Sequence, residues 1–191
     1  MSEFKIVFND FLDDFDSVRY FADKANFKDT ESEYDGAIYP NLCTEIPNNI
    51  KAEVFNKISG FFGVKVKSEK IFMRLSLDGD KPPHAAHNDS LMGKYTFMLY
   101  LNRLEDCKGG TSFVNHKDID IEKGIVSDEH LQVWENDTNK RQKWDILDSI
   151  KMQTNKALMF NSNFMHWAEM PYCFGDNSRN GRLLLIAFFD L

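Results

Sequence analysis

The sequence predicts a mainly β fold with flanking helices, and three observations carry this prediction. From residue 64 onward, short apolar segments are separated by turn-like stretches such as Asp78-Gly79-Asp80, Gly109-Gly110 and Asn180-Gly181. Helical spacing of apolar residues is strong only before residue 64. Hydrophobic residues make up 42% of the 191 positions, including 17 Phe, which is enough for one full core. Many short strands of this kind are typical of a sandwich or a double-sheet jelly roll.

The strand pattern defines the body of the domain. Alternating or continuous apolar residues of strand length recur along the C-terminal two thirds of the chain. The predicted strands are 64–67, 70–77, 94–102, 111–115, 150–154, 157–161 and 182–189. A single domain over 1–191 is expected, with 70–191 as the jelly-roll core.

Residues 1–69 are predicted to form a support region of one strand and two helices. Alternating Phe4, Ile6 and Phe8 favour the strand. The first helix has Asp13 or Asp14 as its N-cap, and its apolar face follows helical spacing. The second helix starts after Pro47 and ends at Gly63. The apolar residues of the two helices are Phe15, Val18, Phe21, Ala22, Ala25, Ile50, Val54, Ile58, Phe61 and Phe62.

A polar, charged insertion at about 117–148 interrupts the strand rhythm and contains Trp134 and Trp144. One interpretation is a mobile lid or binding loop, with one of the tryptophans closing the site. The other is a solvated surface excursion whose tryptophans pack on the core.

Charge and cysteine content narrow the functional classes. The net charge of -7, from 30 acidic and 23 basic residues, disfavours sequence-independent nucleic-acid binding. Three cysteines without CxxC spacing favour a reduced, cytoplasmic setting. The N-terminus lacks a signal-peptide pattern, and no run of about 18 apolar residues could span a membrane. The oligomeric state cannot be predicted from these data.

The segment His87-Asn88-Asp89, with His166 farther on, predicts a metal site. In extended backbone, residues two apart point to the same side, so His87 and Asp89 can reach one ion. Two histidines and one carboxylate form the facial triad that holds iron(II) with open coordination positions. Arg182 opens the last apolar run and suggests an anionic co-substrate, because guanidinium binds carboxylate through two parallel hydrogen bonds.

Several segments around these residues resemble the iron(II)/2-oxoglutarate-dependent oxygenases, most closely their prolyl-hydroxylase-like branch. The similarity covers about residues 70 to 190 and consists of degenerate pieces in the correct order. The pieces are the H-x-D segment, Tyr100-Leu101-Asn102, Gly109-Gly110-Thr111-Ser112-Phe113, Ala157-Leu158-Met159-Phe160-Asn161 before His166, and Arg182 before Leu183-Leu184-Leu185-Ile186-Ala187-Phe188-Phe189.

This resemblance implies a distorted double-stranded β-helix, also called a cupin-like jelly roll, and a dioxygenase activity that uses Fe(II), 2-oxoglutarate and O2. His87, Asp89 and His166 match the iron ligands. Arg182 and Tyr100 match residues that bind the far carboxylate of 2-oxoglutarate. Related halogenating enzymes have a small residue where this chain has Asp89, so hydroxylation is expected. The substrate is expected to be a peptidyl side chain such as proline, or a small molecule.

Two departures and two alternative functions accompany the resemblance. The interval from His166 to Arg182 is 16 residues, longer than usual in the family, and Leu184 stands where many relatives carry serine. Arg179 competes with Arg182 for the co-substrate. The alternative functions are a non-redox metal-dependent hydrolase, such as a zinc enzyme, and a non-catalytic cupin-like metal- or ligand-binding protein.

Overall fold

A computed structural model describes residues 4–33, 36–67, 70–81 and 83–191 of the chain. The helices are α1 (Phe15–Lys24), α2 (Asn48–Phe62) and α3 (Asp128–Asp137). The strands are β1 (Lys5–Phe8), β2 (Lys28–Glu31), β3 (Ile38–Cys43), β4 (Lys70–Ser76), β5 (Tyr95–Tyr100), β6 (Gly110–His116), β7 (Trp144–Lys151), β8 (Ala157–Asn161), β9 (His166–Ala168) and β10 (Arg182–Phe189).

These strands form two antiparallel sheets. The major sheet has the order β1-β8-β5-β10-β4-β3-β2, and the minor sheet has the order β7-β6-β9. Strands that are neighbours in space are often distant in sequence; β10 lies between β4 and β5, for example. The predicted mainly β, jelly-roll fold with flanking helices is confirmed.

The alternation of side chains along β10 separates two apolar layers. Leu183, Leu185, Ala187 and Phe189 belong to a large cluster with the apolar residues of α1 and α2. Leu184, Ile186 and Phe188 belong to a second cluster that includes Phe113 of the minor sheet. Full burial of such side chains stabilises the fold by about 1.5–3 kcal/mol each. Helices α1 and α2 therefore cover the outer face of the major sheet, and its inner face is left to form a site.

The predicted helix boundaries are confirmed by their caps. The Asp14 carboxylate accepts a hydrogen bond from the backbone N–H of Ser17 at the start of α1. Gly63 follows α2 with a φ of 69°, in the left-handed region that commonly ends helices. No helix in the described ranges is long and apolar enough to cross a membrane.

Of the predicted strands, one is absent from the structure and one lies earlier in the chain. Residues 64–67 form no strand, because they lie beyond the end of the major sheet, where the Lys67 N–H donates to the Asp190 carbonyl. The strand predicted at 150–154 is β7, which runs earlier over Trp144–Lys151. Three strands were not predicted, β2, β3 and β9; they are polar or short, and pairing with neighbouring strands creates them.

The insertion at 117–148 contains α3 and the first half of β7. Trp144 is buried in a third apolar cluster with Val114 and Trp167, so it packs on the core as in the second interpretation. Trp134 also packs against this cluster, and it lines the cavity between the sheets. The movement of the insertion as a lid stays a prediction.

The Gly109-Gly110 pair forms the tight connection before β6. Gly109 has a φ of +66°, and a Cβ there would lie 2.9 Å from the Glu169 carbonyl oxygen. A Cβ on Gly110 would collide with the backbone carbonyl of Ile150 on the paired strand β7. Both positions therefore require glycine because the backbones approach too closely for a side chain.

We expect Gly110→Ala to lower the free energy of unfolding by about 1–3 kcal/mol or more, the usual cost of an overpacked site. Chemical denaturation monitored by circular dichroism measures this change. Gly60→Ala is the matched control, since Gly60 lies in α2 with open space around a Cβ. That variant should be stabilised by roughly 0.5–1 kcal/mol. Equal stability of the two variants would contradict the close approach at Gly110.

Candidate active site

His87, Asp89 and His166 converge at the edge of the two sheets. One potential ligand atom of each lies within 4.8 Å of the others. The Asp89 carboxylate is 3.8 Å from Nε2 of His87 and 3.5 Å from Nε2 of His166. His166, which lies 77 positions after Asp89 in the sequence, is thus close enough to Asp89 and His87 for the three residues to share one metal ion.

Backbone hydrogen bonds hold this arrangement. His87 and His166 form an antiparallel bridge, with N–H to carbonyl distances of 3.0 and 2.9 Å. The Asp89 N–H donates to the Ser162 carbonyl at 2.8 Å. The His87 segment therefore forms a single bridge outside the named strands, and it is fixed to β9 and to the residue that follows β8.

Both imidazoles are oriented by carbonyl groups two residues earlier. Nδ1 of His87 lies 3.1 Å from the Ala85 carbonyl oxygen, and Nδ1 of His166 lies 2.9 Å from that of Phe164. A carbonyl only accepts, so each Nδ1 carries the proton and each Nε2 presents its lone pair toward Asp89. This is the tautomer that a metal ligand needs.

Burial and the neighbouring His166 ring together lower the pKa of His87 to about 4, against the attraction of Asp89. The His87 imidazole is consequently neutral at physiological pH. A neutral imidazole coordinates a metal without first losing a proton.

The Asp89 carboxylate has a partner that the sequence analysis missed. Thr96 of β5 is fully buried and donates its hydroxyl to Asp89 at 3.0 Å. Its Oγ1 also lies 2.9 Å from the Ser162 hydroxyl. The available signal was one polar residue on the inner face of an apolar strand, because a buried hydroxyl requires a partner.

A cavity of about 1080 Å3 opens from the triad over the inner face of the major sheet. Its floor consists of alternate residues of three adjacent strands, and the insertion and the loop before β10 contribute to its walls. The floor residues are Phe72, Arg74, Ser76, Thr96, Met98, Arg182, Leu184, Ile186 and Phe188. The volume is at the upper end of the range for small-molecule sites.

Arg182 lines this cavity, and Arg179 does not. Arg182 is 4% exposed, donates to the Gly110 carbonyl at 3.3 Å and has a buried Nε without a partner. Burial lowers its pKa to about 10, so the guanidinium remains charged at neutral pH. Arg179 is exposed in the turn, where its carbonyl accepts a hydrogen bond from Arg19.

Tyr100 lies behind Arg182 and does not itself line the cavity. Its hydroxyl donates to Thr111 at 2.8 Å, and burial raises its pKa to about 12. Thr111 does line the cavity. The contact of Tyr100 with a co-substrate stays a prediction. The Tyr100 hydroxyl is connected to the cavity through its hydrogen bond to Thr111.

The long interval between His166 and Arg182 forms part of the cavity wall. Tyr172 and Cys173 line the cavity, and Phe174 is buried in the inner apolar cluster. The surplus residues therefore fold over the site without displacing Arg182 from the start of β10.

Residues 2–189 match the model of DUF6445, described as a family of unknown function. The chain belongs to this family. A comparison with curated proteins gives no match.

Solved structures with a similar fold include oxygenases of the 2-oxoglutarate and iron type. The epimerase SnoN, in complex with Fe3+, α-ketoglutarate and nogalamycin RO, is 12% identical with a TM-score of 0.59, over 97% of this chain and 78% of SnoN. The carbocyclase SnoK from nogalamycin biosynthesis is 14% identical with a TM-score of 0.58, over 98% and 80%. A Pseudomonas putida prolyl-4-hydroxylase is 14% identical with a TM-score of 0.51, over 98% and 92%.

At these identities the likeness shows the fold alone. The similar structures include natural-product enzymes as well as a prolyl hydroxylase, so the narrower prolyl-hydroxylase-like branch is not distinguished. Within this fold, His87, Asp89 and His166 form a possible metal site.

We expect Thr96→Val to lower the affinity for a divalent metal about 10- to 100-fold, the usual effect of removing a partner that orients a ligand. Calorimetric titration with Mn(II) measures the affinity, and Thr96→Ser should recover most of it. Thr30→Val is the matched control, because Thr30 lines the cavity but donates only to the Lys28 carbonyl. Unchanged affinity in Thr96→Val would show that Asp89 needs no such support.

Proposed function

We propose that this protein is an iron(II)- and 2-oxoglutarate-dependent dioxygenase that hydroxylates an organic substrate. The observation that carries the proposal is one cavity that contains both the His87, Asp89 and His166 cluster and the buried, incompletely bonded Arg182. The first group suits a metal and the second suits a carboxylate. A co-substrate that carries a 2-oxo acid at one end and a carboxylate at the other matches both.

His87, Asp89 and His166 are proposed as the iron ligands. The donor set of two imidazole nitrogens and one carboxylate fits iron(II), and both imidazoles have the required tautomer. Bound iron(II) and 2-oxoglutarate would supply oxygen activation, with decarboxylation of the oxo acid to succinate. The hydrogen bond from Thr96 keeps the Asp89 carboxylate turned toward the imidazoles.

Arg182 is proposed to bind the distal carboxylate of 2-oxoglutarate. Its Nε is buried without a hydrogen-bond partner, which is costly unless a ligand supplies one. The Tyr100 hydroxyl orients Thr111 beside it, and Thr111 offers a further polar contact in the cavity. A hydrolase that used the same metal ligands would give Arg182 no role.

The rest of the cavity is proposed to hold the substrate. Apolar floor residues such as Met98, Ile186 and Phe188 exclude water from the space beside the triad. Both a peptidyl side chain and a small molecule are compatible with this space. A cupin-like protein that only binds a ligand would not need both the complete triad and Arg182.

Anaerobic titration of the protein with iron(II) and 2-oxoglutarate tests the proposal. We expect a weak visible absorption band from chelation of the oxo acid, and succinate release on admission of oxygen. His87→Ala, Asp89→Ala and His166→Ala should each abolish both signals while the circular dichroism spectrum stays that of the native chain. Mass spectrometry should find one added oxygen atom in the turned-over substrate. Full 2-oxoglutarate turnover in all three variants would exclude the proposed ligands.

We expect Arg182→Ala to weaken 2-oxoglutarate binding about 10- to 100-fold and to leave iron binding nearly unchanged, because a charge-assisted pair contributes roughly 1.5–3 kcal/mol. The midpoint of the anaerobic titration measures the effect. Arg182→Lys should recover only part of the affinity, since an ammonium lacks the planar two-point contact.

Arg179→Ala is the control for this experiment, because Arg179 is exposed and outside the cavity. It should bind 2-oxoglutarate like the native chain. A large loss in Arg179→Ala with none in Arg182→Ala would reverse the assignment.

A further inference from the structure

Arg74 is a second arginine on the floor of the cavity, at the centre of β4. It is paired across the sheet with Leu184 of β10 and with Leu42 of β3. Its strand neighbours Met73 and Leu75 point to the helix side, where they are buried in the outer core. The pleat therefore turns Arg74 inward, on the same face as Arg182.

No described carboxylate lies within ion-pair distance of the Arg74 side chain, although Asp89 and Asp80 attract its charge from farther away. Its Nε is buried without a hydrogen-bond partner. Among the described residues no carboxylate forms an ion pair with it, and its guanidinium lies over the Tyr39 ring, 5.5 Å from the centroid. By contrast, the guanidinium of Arg19 is paired with Asp23 at 2.9 Å.

Arg141, another cation of the cavity lining, is already bonded. It donates to the Ala168 carbonyl at 2.8 Å and lies over the rings of Trp167 and Tyr172. Lys81 and Glu33 are exposed at the cavity lining and carry opposite charges. Apart from Arg182, Arg74 is thus the arginine of the described lining whose Nε has no hydrogen-bond partner and whose charge has no ion-pair partner among the described residues.

Sheet register places Arg74 opposite Leu184, two residues along β10 from Arg182, on the floor of the same cavity. Burial lowers the pKa of Arg74, and Tyr39, Cys173, Asp89 and Asp80 oppose this effect. A partly buried cation without an ion-pair partner is costly unless an anion accompanies it.

The proposed cofactors do not supply that anion. The charges of iron(II) and Arg182 would be balanced by Asp89 together with the two carboxylates of 2-oxoglutarate. One carboxylate of 2-oxoglutarate would chelate the metal and the other would bind Arg182. The positive charge of Arg74 is then left unbalanced in this part of the cavity, and a ligand with a single negative charge would balance it.

The surroundings of Arg74 define the rest of the ligand. Phe72, Leu184 and Ile186 lie beside it on the cavity floor, and Phe188 and Met98 continue this apolar surface. A ligand that satisfies Arg74 must therefore carry an apolar body next to its charged group. Guanidinium binds a carboxylate with two parallel hydrogen bonds, which matches a single charge.

We propose that Arg74 binds the carboxylate of the primary substrate, and that this substrate is a small monocarboxylic acid with an aromatic or aliphatic body. This inference rests on the proposed oxygenase function and adds its substrate class. The carboxylate at Arg74 fixes one end of the substrate, and the apolar floor positions its carbon chain near the triad. Hydroxylation would then take place on a carbon of that chain.

Binding of three probe acids to the full-length protein tests the inference without turnover. Calorimetric titrations with benzoate, 3-phenylpropionate and octanoate are made in the presence of a chelator, so that no step depends on metal. At least one acid should bind with a dissociation constant below about 10 mM, and its uncharged amide should bind at least about 10-fold more weakly.

Arg74→Gln should weaken that acid about 10- to 100-fold, and Arg74→Lys should weaken it less. Arg179→Gln is the matched control, because Arg179 is exposed outside the cavity, and it should leave the affinity of the acid within about twofold. In the iron-loaded protein, 2-oxoglutarate binding should be impaired by Arg182→Gln and retained by Arg74→Gln. The melting temperature of Arg74→Gln should equal or exceed that of the native chain, because a partly buried charge without an ion-pair partner is removed. A residue with a structural role would give the opposite shift.

Several results would overturn the inference. They are the absence of binding by all three acids, equal binding of acid and amide, loss of acid binding in Arg182→Gln but not in Arg74→Gln, and impaired 2-oxoglutarate binding in Arg74→Gln. Tighter binding of phenyl phosphate than of the acids would also overturn it, because the ligand group at Arg74 would then be a phosphate and not a carboxylate. Turnover of a peptide without a free carboxylate in the cavity would also reject the acid.

The two proposals can fail separately. Arg74-dependent acid binding without a 2-oxoglutarate–iron absorption band would reject the oxygenase function and keep the acid site. The absorption band without acid binding would reject the acid site and keep the oxygenase function.

Discussion

The reciprocal backbone hydrogen bonds between His87 and His166 are the constraint on which the candidate site depends. They join a loop segment to the short strand β9 of the minor sheet. The N–H of Asp89 and the hydroxyl of Thr96 tie the same segment to the major sheet. Since neither sheet alone contains the three candidate ligands, the site exists only where the two sheets are held together at this edge. A metal bound there would add one more link between them.

The insertion stabilises this edge from outside. The Ala86 carbonyl accepts hydrogen bonds from Trp134 Nε1 and from the Thr138 hydroxyl, both at 2.7 Å, and the Ala86 N–H donates to the Thr138 carbonyl. The C-terminal end of α3 therefore fixes the residue directly before His87. Trp134 also stacks against His84 at a centroid distance of 4.8 Å, so one wall of the cavity and the segment with the candidate ligands are built on the same helix.

The inner face of the major sheet combines a stable core with a costly site. Leu184 and Ile186 pack as core residues, yet Arg74 and Arg182 lie on the same face with buried, unpaired Nε atoms. Such groups reduce the stability of the ligand-free protein, and they are retained where a ligand uses them. The similar folds of an epimerase, a carbocyclase and a prolyl hydroxylase agree with this division, in which the fold provides the frame and the cavity residues select the reaction.

The sequence by itself determined the elements whose apolar pattern is strong, such as α1, α2, β5 and β10, together with the candidate ligands His87, Asp89 and His166. Local signals suffice there, because side-chain periodicity and caps act within one element. The tertiary structure alone decided the rest. The polar strands β2 and β3 form only by pairing, the Trp144 side chain is buried only because β6 and β9 lie beside it, and Arg74 becomes an unpaired cavity residue only when β4 pairs with β10. Burial and missing partners depend on residues distant in the chain, so a single sequence could not reveal them.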